Sequence, residues 1–321
     1  MYSVRRRITH EDLIGGIIAS TLTPFDEAGD VMRKSITDQA RRLSQIDGVI
    51  GIAVNTSLRE RPTLNPEERL EVIRCTRKGL KNGQILVSCV GELSEAIFGE
   101  VIACKTAGAD AIISFLPKWQ KGCDEQALRE RVTRIVELTD CLALPVILDL
   151  GIGEDRWTDT PEEIALLASM GRQILGFDMR HGDNVLHYDQ DYYALKTADR
   201  PMALLTSSEG ALFHNLNTGV DGVLSSFAYI VPHEVAALYN ASRNSRFPDA
   251  QAIHNKLVPL TTLLNGHDAD TREMVFREVA HARGLLASPL GRRPIKPLCP
   301  HLTQNLHSTL DKIALEPVSW V

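Results

Sequence analysis

Short apolar runs of strand length recur along the chain, at Gly16 to Thr21, Gly48 to Val54, Ile85 to Val90, Ala111 to Phe115, Leu144 to Asp149, Gln173 to Asp178, Pro201 to Thr206 and Gly222 to Ser225. Amphipathic segments of helical length separate them. Continuous apolar runs of this kind suit strands buried on both faces, and their alternation with helices is the pattern of βα units around a parallel sheet. Eight such units predict an α/β fold, a closed (β/α)8 TIM barrel. Helix starts are legible as well. Asn65, Pro66, Glu67 and Glu68 combine a cap residue, a proline at the first helical position and acids in the first turn, and Thr160, Pro161, Glu162 and Glu163 repeat the device. Beyond the eighth strand, residues 231–243, 249–265 and 271–286 are predicted helices, of which only the first is needed to close the barrel. The expected organisation is an N-terminal tail (1–12), the barrel (13–245), and a C-terminal helical extension and tail (246–321).

Composition narrows the function classes. With 321 residues, 44% of them hydrophobic, the chain has room for a barrel of roughly 250 residues and an extension. The formal charge of −6 and a pI near 5.9 argue against a nucleic-acid partner, since the longest basic run is Arg5, Arg6, Arg7. No window approaches the roughly 18 uninterrupted apolar residues of a membrane span. Met1 to His10 lacks the apolar stretch of a secretory signal, so a cytoplasmic protein without membrane association is expected. The six cysteines form no Cys-x-x-Cys pair, and neither a disulfide framework nor a zinc knuckle follows.

In such barrels the active site lies at the C-terminal ends of the strands. That rule selects Thr21, Thr23 and Pro24 after the first strand, Asn55 to Glu60 after the second, Gly91 and Glu92 after the third, and Pro117 to Trp119 after the fourth. It adds Asp149 from the fifth, Asp178, Arg180 and His181 from the sixth, Ser207 to Glu209 from the seventh, and Ser225, Ser226 and Tyr229 from the eighth.

At these positions the chain resembles the dihydrodipicolinate synthase and N-acetylneuraminate lyase family of class I aldolase-like barrels. The anchors are Thr21, Leu22, Thr23, Pro24, Phe25 with Gly29; Glu60 with Pro62, Thr63, Leu64 and then Glu67, Glu68, Arg69; Ala107 to Asp110; Leu144 to Ile147; and Gly219, Gly222 and Pro232. Together they span about Leu13 to Pro297. The resemblance implies a pyruvate-type Schiff base on a lysine at the end of the sixth strand, after a glycine and a hydrophobic residue. Here Gly176 and Phe177 are followed by Asp178, and a carboxylate cannot form an imine. The implied relay tyrosines are also replaced: the fifth strand runs through Leu148 into Asp149, and Trp119 stands after the fourth. The glycine-rich loop after the second strand becomes Thr56, Ser57, Leu58, Arg59, Glu60. The implied carboxylate-binding arginine falls at Glu154, with Arg156 two residues on. Lys118 is the one lysine at the rim.

These replacements predict chemistry without an imine. Asp149 and Asp178 come from adjacent strands roughly 5 Å apart, so their carboxyls can share a proton, bind a divalent cation or be neutralised by Arg180, Arg59 or Arg156. His181, Asp183 and His187 form a weak metal pattern, and no metal or other cofactor is expected. Asp149 and Asp178 are the candidate catalytic pair. Ser57, Arg59, Glu60, Trp119, Arg180 and Ser207 are the candidate substrate-binding set, with Ser57 and Glu60 shaping the loop and Arg59 or Arg180 meeting an anionic group. Ser207, Ser208 and Glu209 also fit a helix cap. Two functions fit: a lyase-like or hydratase-like enzyme acting on a small carboxylated or sugar-acid substrate, and a non-catalytic pseudoenzyme that binds a ligand or serves assembly. The resemblance further implies a homo-oligomer, a dimer or a tetramer.

Overall fold

The structure, a computed structural model, describes residues 7–57, 60–116, 125–151, 160–180, 184–292 and 296–315. Eight parallel strands close into a barrel in chain order: β1 (Ile17–Ser20), β2 (Val49–Val54), β3 (Ile85–Glu92), β4 (Ala111–Phe115), β5 (Val146–Asp149), β6 (Ile174–Asp178), β7 (Ala203–Thr206) and β8 (Gly222–Ser225), with β8 pairing back onto β1. All eight coincide with the apolar runs of the sequence: β1, β2, β5, β6 and β7 start one or two residues later, β1 also ends one residue earlier, and β3 runs two residues further, to Glu92. β5 begins at Val146 because Pro145 has no N–H to offer the ladder. The outer shell is α1 (Arg33–Leu43), α2 (Pro66–Gly79), α3 (Phe98–Ala107), α4 (Glu125–Asp140), α5 (Pro161–Met170), α6 (Val185–Lys196) and α7 (Leu212–Thr218).

Strand alternation sorts the core into two layers. Ile18, Ala53, Val87, Ile113, Ile147, Leu205 and Leu224 fill the barrel interior, while Ile52, Leu86, Ile112, Leu148, Phe177 and Leu204 face the helices. On β5 the interior side therefore carries Ile147 and then Asp149. On β6 it carries Gly176 and then Asp178, each directly opposite its β5 counterpart. Gly176 is obligatory, since a Cβ there would fall 2.4 Å from the Ala203 carbonyl oxygen.

The caps divide. Asn65 accepts from the Glu68 N–H and completes a capping box, as its sequence predicts, whereas the Thr160 side chain makes no capping bond at the start of α5. The Ser207, Ser208, Glu209 run is not a cap either, because α7 starts later, at Leu212. After β8 come a short α8 (Ser226–Ile230), then α9 (Pro232–Arg243), α10 (Phe247–Asn265) and α11 (Ala269–Ala282), and finally α12 (Pro300–Lys312). α11 begins two residues before its predicted start because Asp268 caps the N–H groups of Asp270 and Thr271. It ends before Gly284, whose φ of +73° no helix accommodates. α8 and α12 were not foreseen. No helix among the described residues is long and apolar enough to cross a membrane.

Candidate active site

Of the interior acids at the ends of β5 and β6, Asp178 lines a cavity of about 440 Å3 and Asp149 sits behind the Arg180 that also lines it. Asp149, 1% exposed, accepts the Gly151 N–H through Oδ1 (2.8 Å) and pairs with the Arg180 guanidinium through Oδ2. Arg180 lies over the Phe115 ring at 5.6 Å, so stacking and charge fix it against the β4–β5 side of the rim. Its proton is held more tightly than usual: burial acts against the charge, but Asp149 and Asp178 outweigh it.

Asp178 is treated differently. It is fully buried, with no cation paired to it among the described residues and the Ser207 hydroxyl beside it. Burial first, then the neighbouring Asp149 charge, push its carboxyl up to about 8, against the opposing pull of Arg180 and the nearby Ser207 hydroxyl. Of the two acids that sequence reasoning proposed as a catalytic pair, one is therefore paired with a guanidinium, while burial and its neighbour push the other's carboxyl well above the usual carboxylate range.

The wall is rich in hydroxyls. Asn55, in the left-handed region at φ +59° and tied to Ser88, turns the chain after β2 so that Thr56 and Ser57 line the cavity. Thr56 bonds to Ser20 from β1, and Ser226 adds a 3.5 Å contact to the same Ser20 hydroxyl. Ser207 and Ser208 line the cavity after β7 with buried hydroxyls, that of Ser207 beside Asp178. Cys89 also lines it, and burial pushes its thiol up to about 11, which keeps it neutral.

The roof comes from outside the barrel. Ala269, Arg272, Glu273 and Phe276 of α11, one helical stripe, cover the mouth. Arg272 pairs with Glu209 at 2.6 Å, and Glu273 accepts the Ser57 hydroxyl at 2.9 Å. Behind them, Glu60 receives the Thr23 N–H on both oxygens (3.0 Å each) and the Arg277 guanidinium at 2.9 Å. Arg277 is wholly buried and also donates to the carbonyls of Thr23, Pro289 and Leu290.

Of the residues singled out by sequence, the structure brings Asp178, Arg180, Ser57 and Ser207 to the cavity, with Asp149 just behind Arg180. Glu60 does not border it. Its oxygens are committed to Thr23 and Arg277, which fits the loop-shaping part expected of it and leaves none for substrate. Arg59, Lys118, Trp119, Glu154, Arg156, His181 and Asp183 lie outside the described residues. His187 bonds to Asn184 at the start of α6, and among the described residues no three His, Cys, Asp or Glu side chains are grouped to hold a metal ion. Among the described residues no lysine lines the cavity. Sequence reasoning missed α11 entirely as a source of site residues. Its signal was a pair of ionisable residues, Glu273 and Arg277, spaced four apart among the apolar Met274, Val275, Phe276, Val279 and Ala280.

Residues 13–313 match the Dihydrodipicolinate synthetase family, and the chain belongs to that family. It is 24% identical over 282 residues to the 4-hydroxy-tetrahydrodipicolinate synthase of Haloarcula marismortui, covering 86% of this chain and 88% of that one. It is 25% identical over 307 residues to the synthase of Methanopyrus kandleri, covering 95% and 98%. Among solved structures, the dihydrodipicolinate synthase of Thermotoga maritima superposes with a TM-score of 0.82 at 19% identity, covering 94% of this chain and 99% of that one. A prophage protein of the same family from E. coli K12, solved with pyruvate, gives 0.80 at 22% identity, covering 94% and 99%.

Proposed function

We propose that this member of the dihydrodipicolinate synthetase family works without an imine lysine, running a lyase-like or hydratase-like reaction on a small carboxylated or polyhydroxylated substrate. Asp178 is the proton-transferring residue in this reading. The observation that carries it is the divided acid pair: Asp149 is ion-paired with Arg180, while Asp178, without a cation of its own among the described residues and with its carboxyl pushed up to about 8, lines a cavity large enough for a small substrate. An acid with a value near the operating pH suits both giving and taking a proton.

Asp149 and Arg180 position and polarise. Their pairing fixes the charge beside Asp178 and keeps it from ionising early, and any group that displaces Arg180 from Asp149 would alter Asp178 at once. The alternative, a pseudoenzyme retained for ligand binding or assembly, draws on the three ion pairs Asp149–Arg180, Glu209–Arg272 and Glu60–Arg277 around the cavity. The open volume and the perturbed acid favour the enzyme.

Two measurements test the reading. Borohydride treatment with pyruvate, followed by intact mass, is expected to leave the native protein unmodified; a stoichiometric adduct would show that an imine lysine operates after all. In a screen of small hydroxy and keto acids and polyols, any turnover found is expected to fall about 100-fold or more in Asp178→Asn and to decline above about pH 8 where the acid form is required. Undiminished turnover in that variant would remove Asp178 from the mechanism.

A further inference from the structure

An addition or elimination that takes a proton from Asp178 also has to remove one, and the mouth of the cavity holds a group arranged for that. Ser57 lines the cavity; its Oγ accepts the Glu60 N–H at 3.0 Å and donates its single proton to Glu273 Oε2 at 2.9 Å. Arg277, one turn along α11, steadies Glu273 from the other side, its guanidinium 3.7 Å from Oε1. A hydroxyl within hydrogen-bond reach of a base that a third group orients is the arrangement that activates hydroxyls. The neighbouring acids are committed elsewhere, Asp149 to Arg180, Glu209 to Arg272, and Glu60 to Thr23 and Arg277.

We propose that Glu273 is the base of this cavity and acts through Ser57, which touches the substrate. Ser57 Oγ takes a proton from the bound substrate as its own passes to Glu273 Oε2, and Asp178 gives its proton to the group that departs. One proton leaves the substrate and one enters it; Ser57 ends as it began, and exchange with water restores both acids. The proposal rests on the reading of Asp178 as a proton donor and supplies its counterpart. Topology supports the division of labour. In a barrel closed in chain order β2 and β6 stand opposite each other, so Ser57 and Asp178 meet a substrate from opposite sides, the geometry of an anti addition or elimination. Burial, with the Glu60 charge adding to it, pushes Glu273 up to about 7 against Arg277 and Ser57. A carboxyl in that range is partly ionised at neutral pH and still binds a proton well, as the base of a relay must.

The test reads the activation of Ser57 directly, by reaction of the full-length protein with diisopropyl fluorophosphate and peptide mass mapping. In that reaction the Oγ–P bond forms, the P–F bond breaks, fluoride leaves and the hydroxyl proton passes to Glu273. Labelling of Ser57 is expected to quicken as Glu273 loses its proton, with a midpoint at about pH 7, and then to level. Glu273→Gln keeps an oxygen that accepts the Ser57 hydroxyl and loses the basicity, so a bond that merely fastened α11 would survive in it. In that variant the labelling rate is expected to fall at least about 100-fold and to lose its pH dependence. An unlabelled Ser57 in wild type, a wild-type rate without that titration, or a Glu273→Gln rate within about threefold of wild type would overturn the proposal. Should Glu273→Gln not fold, the wild-type pH profile decides. The outcomes separate from those for Asp178. Lost turnover in Asp178→Asn with labelling indifferent to Glu273 sinks this inference alone, and labelling that depends on Glu273 with undiminished turnover in Asp178→Asn sinks the functional reading alone.

Discussion

Glu60 and Asp178 are buried carboxyls on two sides of one barrel mouth, 3% and 0% exposed, and they have opposite surroundings. Glu60 is saturated, with a backbone N–H shared between its oxygens and the guanidinium of Arg277 against it. Asp178 has, among the described residues, no backbone N–H and no cation of its own, only the Ser207 hydroxyl and a like charge beside it. Burial raises the proton affinity of both. What differs is whether the fold supplies partners, and that difference separates an acid that holds loops in place from one left available for chemistry. Strain of this sort at a cavity floor is where function is sought.

The comparison breaks most visibly if Arg277 is removed. Arg277→Met strands Glu60 without its counter-ion and is expected to destabilise the fold by about 3–5 kcal/mol in urea unfolding; a loss below 1 kcal/mol would show that Glu60 is not held by this pair.

Asp178→Asn is expected to act in the other direction and to stabilise. The unfolded chain ionises this acid near pH 3.9, whereas the folded protein holds the proton to about 8. The contribution of Asp178 to stability is therefore full below about pH 4, is lost as pH rises, and is gone above about 8. The advantage of the asparagine variant should grow by up to about 1.4 kcal/mol per pH unit through that window and then level. Thermal melts across pH check it, and a gain that shrinks as pH rises would contradict the assignment.

The smallest effect belongs to the rim. Arg272→Ala breaks a pair whose arginine side chain is 35% exposed, and about 0.5 kcal/mol of stability is the expected loss. A loss several times larger would place the Glu209–Arg272 contact with the Glu60 network instead of on the solvent side.

The barrel was legible because strands buried on both faces leave unbroken apolar runs, and turn or cap residues punctuate them. The lower half of the site was legible for a related reason. A polar residue ending such a run, as Asp149 and Asp178 do, must face the mouth. The roof was not legible, because nothing in residues 269–282 says over which strands the helix will settle; Glu273 and Arg277 are ordinary helix residues until Ser57, Glu60 and Thr23 are placed beneath them. Thr56 shows a subtler miss. In the resemblance it counted as a lost glycine, while in the folded chain its hydroxyl joins Ser20 on the cavity wall.

Arg277 joins Thr23, 254 residues earlier in sequence, and Glu60, 217 residues earlier. Contacts that distant form late, because the intervening chain must first be ordered. In a chain made from its N-terminus, Thr23 and Glu60 are in place long before the α11 residue that pairs with them exists. A chain terminated near residue 268 would hold all eight strands and none of α11, and its cavity would lack the side that Arg272, Glu273 and Phe276 supply.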